Sequence, residues 1–181
     1  MNANEETLEA LRFPIGRFEP RAISDEERAE LISEIGRAPG LLRAAVEGLT
    51  DAQLDTSYRP DGWTVRQVVH HLPDSHMNSY MRFKLAIAED RPTIRTYDEA
   101  SWGEMSDARR APPEISLVLL DALHARWVPW LRSLPPDSFA RQLDHPEWDA
   151  PLDLDTMVQL YAWHGQHHTA HITGLRDRMG W

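Results

Sequence analysis

The chain has 181 residues, with 13 prolines, 9 histidines, 7 tryptophans and no cysteine, and 19 basic against 29 acidic side chains give a formal net charge of −10. This length fits one domain spanning residues 1–181, large enough for a full core without covalent staples. The missing cysteine excludes disulfides, thiolate zinc sites, iron–sulfur clusters and a protein thiol nucleophile, and the acidic balance argues against nucleic acid or an anionic membrane as partner.

The first residues, MNANEETLEALRF, carry no basic region followed by a long apolar run, and no stretch of about 18 apolar residues follows anywhere, so a cytoplasmic location is expected. Residues 1–20 read as an extended arm, punctuated by proline in FPIGRFEP and anchored by Phe13, Ile15 and Phe18. The first helix start is Ser24, where Glu27 completes a capping box, followed by Leu31, Ile35, Leu42, Val46 and Leu49 at near-helical spacing. Gly36 and Pro39-Gly40 predict a kink or a split in that run. A second capping box, Thr64 with Gln67, opens the strongest helix, carrying Val65, Val69, Leu72, His76, Tyr80, Phe83 and Ile87 to about residue 88, with a bend expected at Pro73.

Residues 90–113 show no sustained period and exceed the roughly 2–8 residues of an ordinary bundle connection, so they read as a long functional loop with Tyr97 and Trp102 as a wall. A third helix follows Pro112-Pro113 and ends at Pro135-Pro136, with Pro129 distorting its last turns. Residues 138–152 suit a small hairpin or a loop, and His145 beside Pro146 reads as a turn residue. The fourth helix starts near Asp153 or Asp155 and stops before Gly180. Four long helices and no credible sheet predict an all-α four-helix bundle with an extended N-terminal arm and a long connection between helices 2 and 3.

Four of the nine histidines fall within eight residues of the last helix, at His164, His167, His168 and His171. At 100° per residue, with His164 as zero, His168 lies at about +40°, His171 at about −20° and His167 at about −60°. Met157 and Leu175 at about +20° mark the core direction, so His164 and His168 bracket the inward stripe. An i, i+4 pair has Cβ atoms about 6 Å apart, which lets both imidazoles place a nitrogen about 2.1 Å from one ion. A third ligand is sought on a neighbouring helix, with His70 and His71 ahead of His76, His124 and His145. His71 heads a polar strip with Gln67, Asp74, Ser75 and Asn78, the composition of a wet pocket wall. His76 and His124 read as core residues bonded to backbone or carboxylate, and Trp127, Trp130 and Trp163 as core packing.

The segment GWTVRQVVHHLPDSHMNSYMRFKLAIAED at 62–90, FPIGRFEP at 13–20, YDEASW at 97–102 and YAWHGQHHTAHITGLRDRMGW at 161–181 closely resemble the YfiT-like branch of the DinB superfamily, in the same order along nearly the whole chain. The resemblance implies a four-helix DinB bundle, often a homodimer, with one divalent metal ion per subunit, zinc or nickel, held by three histidines. The second His of the family's HH pair falls on His71, and its HxxxH ligands fall on His164 and His168. Members are described as metal-dependent hydrolases, and related proteins are transferases using a low-molecular-weight thiol such as bacillithiol. One departure is Pro73, two residues past His71, where a helix-compatible residue is expected.

Three neutral imidazoles leave an ion its full charge and an open position, the arrangement of catalytic zinc, and such a site draws the pKa of bound water to about 7. The expected function is hydrolysis of a small molecule; alternatives are thiol S-transfer onto an electrophile and a non-catalytic metal-binding dimer. Asp74, Ser75, Asn78, Gln67, His167 and His171 are weak candidates for supporting roles around the site.

Overall fold

The structure is a computed structural model that describes residues 3–181, with side chains from Thr7 onward, so the first two residues of the expected arm lie outside the described residues. Eight helices follow in chain order: α1 (Ala3–Arg12), α2 (Asp25–Val46), α3 (Asp51–Leu54), α4 (Val65–Ala88), α5 (Glu99–Gly103), α6 (Ser106–Arg110), α7 (Pro113–Arg132) and α8 (Leu154–Met179). A 3-10 turn at Pro136–Ala140 and a two-residue antiparallel pair, β1 (Gln142–Leu143) and β2 (Leu152–Asp153), connect α7 to α8.

Both capping boxes form as the side-chain chemistry requires. Ser24 and Thr64 each accept from the backbone N–H three residues on, while Glu27 and Gln67 reach back to the cap backbone. Asp153 caps α8 through Thr156 N–H, and Gly180 ends that helix at φ 70, a left-handed conformation that glycine adopts without a Cβ clash.

Two apolar clusters fill the bundle and fix the helix directions. One contains Ile32 and Ile35 of α2, Phe83 and Ala86 of α4, Trp127 and Leu131 of α7, and Met157 and Tyr161 of α8. The other contains Leu42, Val69 and Leu72, Leu117 and Leu120, and Ile172 and Leu175 from the same four helices. The N-terminal halves of α2 and α8 therefore share one end with the C-terminal halves of α4 and α7. Helix α2 packs against α8 and α7, and α4 against α7 and α8, so α4 and α7 are parallel neighbours. A parallel pair requires the chain to return along the bundle between them, which gives residues 89–112 a structural reason for their length.

Several expectations are corrected. The arm opens with helix α1 and is extended only from about residue 13 to residue 24. Phe13 and Phe18 do anchor it, against His167 and against Trp148 and Trp163, whereas Ile15 is exposed. Helix α2 is not split: it runs unbroken through Gly36, Pro39 and Gly40. The 90–113 connection contains the short helices α5 and α6. It is tied down by the buried Arg66, which bonds the Ala111 carbonyl as well as Asp51 and Asp55, and by Gln67, which donates to the Gly103 carbonyl. Trp127 is fully buried, but Trp163 is only partly so and donates its indole N–H to the Gly16 carbonyl, holding the arm rather than the core. Among the described residues no helix is long and apolar enough to cross a membrane.

Candidate metal centre

Between the two apolar clusters lies a layer of histidines. His71 and His76 come from α4, His124 from α7, and His164, His167, His168 and His171 from α8. His71, His164 and His168 each bring one ring nitrogen to within 4.8 Å of the other two. Nε2 of His71 and Nε2 of His164 are 3.3 Å apart. Two nitrogens about 2.1 Å from a single tetrahedral ion would be separated by about 3.4 Å, so this pair already has the spacing of co-ligands. Pro73 does not disturb it: α4 continues through that residue, and the His71 ring stays beside His164.

Burial keeps all three rings neutral, as metal ligands must be. It lowers the His71 pKa to about 4, with a smaller contribution from His167. His164 and His168 are pushed well below the usual imidazole range, again mainly by burial and then by their histidine neighbours. The donor set therefore fits a divalent ion of the zinc or nickel type, for which imidazole is a suitable ligand. The His168 ring stands 4.8 Å from that of His71 and 4.5 Å from that of His164, edge-on to both.

A second group, His167, His168 and His171, also brings its ring nitrogens within 4.8 Å and shares His168 with the first. These side chains lie on the arm side of α8. His167 stacks on Trp163 at 4.2 Å, and His171 donates from Nε2 to the Arg12 carbonyl at 3.1 Å. The Nδ1 atoms of all three are buried without partners. A cavity of about 280 Å³ reaches this face, lined by Arg12, Phe13, Tyr58, Arg59, Trp63 and the three histidines. Trp63 lies 4.7 Å from the His71 ring and walls the approach.

The remaining histidines separate cleanly. His70 points away from the centre, with Nδ1 2.7 Å from Ser116 Oγ and Nε2 3.1 Å from the Ala111 carbonyl. His145 sits in the 144–151 loop, where its Nδ1 accepts from Glu147 N–H, a turn role. His76 and His124 are core residues as their apolar stripe indicates; His124 bonds the Ile35 backbone carbonyl at 2.7 Å, whereas His76 bonds His124 at 2.8 Å and reaches His164 at 3.2 Å. Sequence spacing could not reveal that connection, because the partners lie on three different helices.

Of the polar strip beside His71, only Ser75 touches the centre, with Oγ 3.5 Å from His164 Nε2. Gln67 serves the α4 cap and α5, and Asn78 bonds the Asp74 carbonyl. Asp74 is partly buried, and that burial raises its pKa to about 6, with Asp107 adding to the shift. Tyr97, expected as a wall, lines a separate cavity of about 530 Å³ with Asn78, Arg82 and Trp102, and its buried hydroxyl lies toward Ser75.

The fold and the site together define an all-helical bundle in which two of the long helices bring three histidines together. The chain belongs to the DinB superfamily, whose profile matches residues 34–172. It is 51% identical over 172 residues to the Bacillus subtilis protein named "Putative metal-dependent hydrolase YfiT", covering 94% of this chain and 97% of that protein. A similarly named Bacillus mycoides protein is 50% identical over 175 residues, covering 96% and 100%. The solved structure of YfiT from Bacillus subtilis, with an unusual four-helix bundle topology, superposes with a TM-score of 0.93 over 95% of this chain and 99% of that one.

Proposed function

We propose that this protein is a metal-dependent hydrolase of a small molecule, with one divalent ion, zinc or nickel, held by His71, His164 and His168. The observation that carries the reading is the convergence of three neutral ring nitrogens within 4.8 Å, one of which, on His168, belongs to a ring that also lines a cavity. The names of the YfiT relatives support the same activity.

A divalent ion held by His71, His164 and His168 would supply Lewis acidity toward a water or thiol, drawing the pKa of that group toward neutrality. The protein's own contributions follow from its geometry. Helices α4 and α8 present the three rings, and the apolar rings of Trp63 and Phe13 line the adjoining cavity together with the cationic Arg12 and Arg59. Ser75 stands within reach of His164 as a hydrogen-bonding group at the centre.

Metal analysis of the native protein beside His71→Ala, His164→Ala and His168→Ala tests the ligand set, with helicity checked by circular dichroism. The expected result is one ion per chain in the native protein and loss of the metal from each folded variant. Folded variants that retain stoichiometric metal overturn the assignment. Turnover of a panel of p-nitrophenyl esters that stops on chelation supports hydrolysis. Metal-dependent conjugation of bacillithiol to monochlorobimane, without ester turnover, moves the function to thiol S-transfer, and metal binding without either reaction leaves a non-catalytic bundle. A homodimer acting on a small molecule, without nucleic acid or membrane, belongs to the same proposal, supported by the exposed Ile115, Val118 and Leu119 face of α7 and tested by light scattering.

A further inference from the structure

We infer that His76 and His124 form a tautomer relay, started by the Ile35 carbonyl, that fixes the proton of His164 on Nδ1 and leaves its Nε2 lone pair facing the metal position. The inference rests on the metal reading of His164 and adds two positioning residues to it.

The relay starts from a proline. In an α-helix the carbonyl of residue 35 accepts from the N–H of residue 39, but residue 39 of α2 is Pro39, which has no N–H to give. The Ile35 carbonyl is therefore left over within its own helix. His124 Nδ1 lies 2.7 Å from it. A carbonyl only accepts, so His124 carries its proton on Nδ1 and its Nε2 is a lone pair. That lone pair is 2.8 Å from His76 Nδ1, which must then be the donor. His76 Nε2 is consequently an acceptor, and it is 3.2 Å from His164 Nδ1. His164 donates from Nδ1, and the nitrogen that remains unprotonated is the Nε2 beside His71.

Each step follows only if the rings are neutral, since a doubly protonated imidazole would have no acceptor to pass on. Burial disfavours the charged form at every position. His76 has no exposed surface, and the rings of Trp127 and Tyr161 stand edge-on to it at 6.0 and 5.2 Å, so no water competes for its nitrogens. The relay visits all four long helices once: α2 supplies the carbonyl, α7 His124, α4 His76 and α8 His164. Metal-bound histidines are usually oriented by a carboxylate, carbonyl or water on the far nitrogen. Here a carbonyl performs that role from two imidazoles away.

The test is long-range ¹H–¹⁵N correlation spectroscopy on metal-free protein at neutral pH. His124, His76 and His164 are expected as Nδ1–H tautomers, the reverse of the Nε2–H form that neutral imidazole prefers in water. A proton on Nε2 of His76 or His164 overturns the relay, and this readout stands whether or not the protein binds metal. In His124→Phe, which fills the same space without a nitrogen, His164 is expected to lose its single tautomer and zinc affinity to fall about 10–100-fold. His124→Gln places an amide oxygen where His76 can donate and is expected to restore the Nδ1–H form of His164. A role in packing alone predicts that Phe keeps the native tautomers, which would overturn the proposal. Should His124→Phe fail to fold, Pro39→Ala decides. It returns a helical N–H to the Ile35 carbonyl, so the His124 Nδ1 proton is expected to move upfield, and an unmoved resonance overturns the carbonyl's role.

Discussion

The two sides of the histidine layer differ in how their ring nitrogens are spent. On the inner side, His164, His76 and His124 are joined nitrogen to nitrogen and end on a backbone carbonyl. On the outer side, toward the N-terminal arm, Nδ1 of His167, His168 and His171 is buried without a partner, and a cavity opens beside them. The inner side is built by four long helices, whose interlocked packing can hold each ring at a set distance. The outer side is closed by the arm and the 58–63 loop, which contribute backbone carbonyls such as those of Arg12 and Gly16. On the proposed metal reading the contrast teaches a division of labour: the helices would determine which nitrogen faces an ion, and the arm would shape what approaches it.

The largest effect that can break this comparison comes from the residue common to both histidine groups. His168→Ala is expected to remove the metal completely, whereas His171→Ala, confined to the outer group, keeps it stoichiometric. Plasma emission analysis of the two folded variants reads the difference, and equal metal loss from both would merge the two sides into one centre.

Next comes the pH dependence of the metal-free protein. Burial lowers the pKa of His124 to about 4 in the folded chain, against about 6.5 when unfolded. The unfolded state therefore binds the extra proton first as pH falls. The stability tied to the neutral ring is full above about pH 6.5 and is lost progressively down to about pH 4, by about 3 kcal/mol. Urea titrations across that range are expected to show the decline, and His124→Phe is expected to flatten it by this amount. A variant with the native slope would show that His124 does not titrate as a buried neutral ring.

The smallest effect concerns how closely the helices approach. A Cβ on Gly165 of α8 would stand 2.9 Å from the Ala38 Cβ of α2, so Gly165→Ala is expected to destabilise by about 1–3 kcal/mol despite alanine's helix preference. Gly174 on the same helix meets only the Arg178 guanidinium, at 3.5 Å, and Gly174→Ala is expected to stabilise by up to about 1 kcal/mol. Thermal melts giving both substitutions the same sign would remove the close contact as the reason for Gly165.

Much of the fold is readable from local chemistry. Ser24 with Glu27 and Thr64 with Gln67 mark helix starts because a cap and its reciprocal partner lie three residues apart in the chain. The facing of His164 and His168 is similarly readable, since a helix converts sequence spacing into direction. Other features resisted such reading. Helix α1 is hidden in the sequence because the proline-punctuated FPIGRFEP segment follows it directly and makes the whole stretch read as extended. Pro39 is visible in the sequence only as a helix breaker, yet α2 absorbs it, and its consequence is a carbonyl released from the helix ladder to His124. His76 and His124 were legible as buried, but not as partners, since their sequence separation of 48 residues carries no geometric information.

Local chemistry therefore set the four long helices, their inward faces and the identity of the histidines on them. These depend on capping and on a 3.6-residue repeat, both of which act within one turn. Only the tertiary structure decided which helices are neighbours, that α4 and α7 run parallel, and that one carbonyl and three imidazoles join across the bundle. Those outcomes depend on packing between segments far apart in the chain, where side-chain shape and buried hydrogen-bond satisfaction, rather than local propensity, select the arrangement.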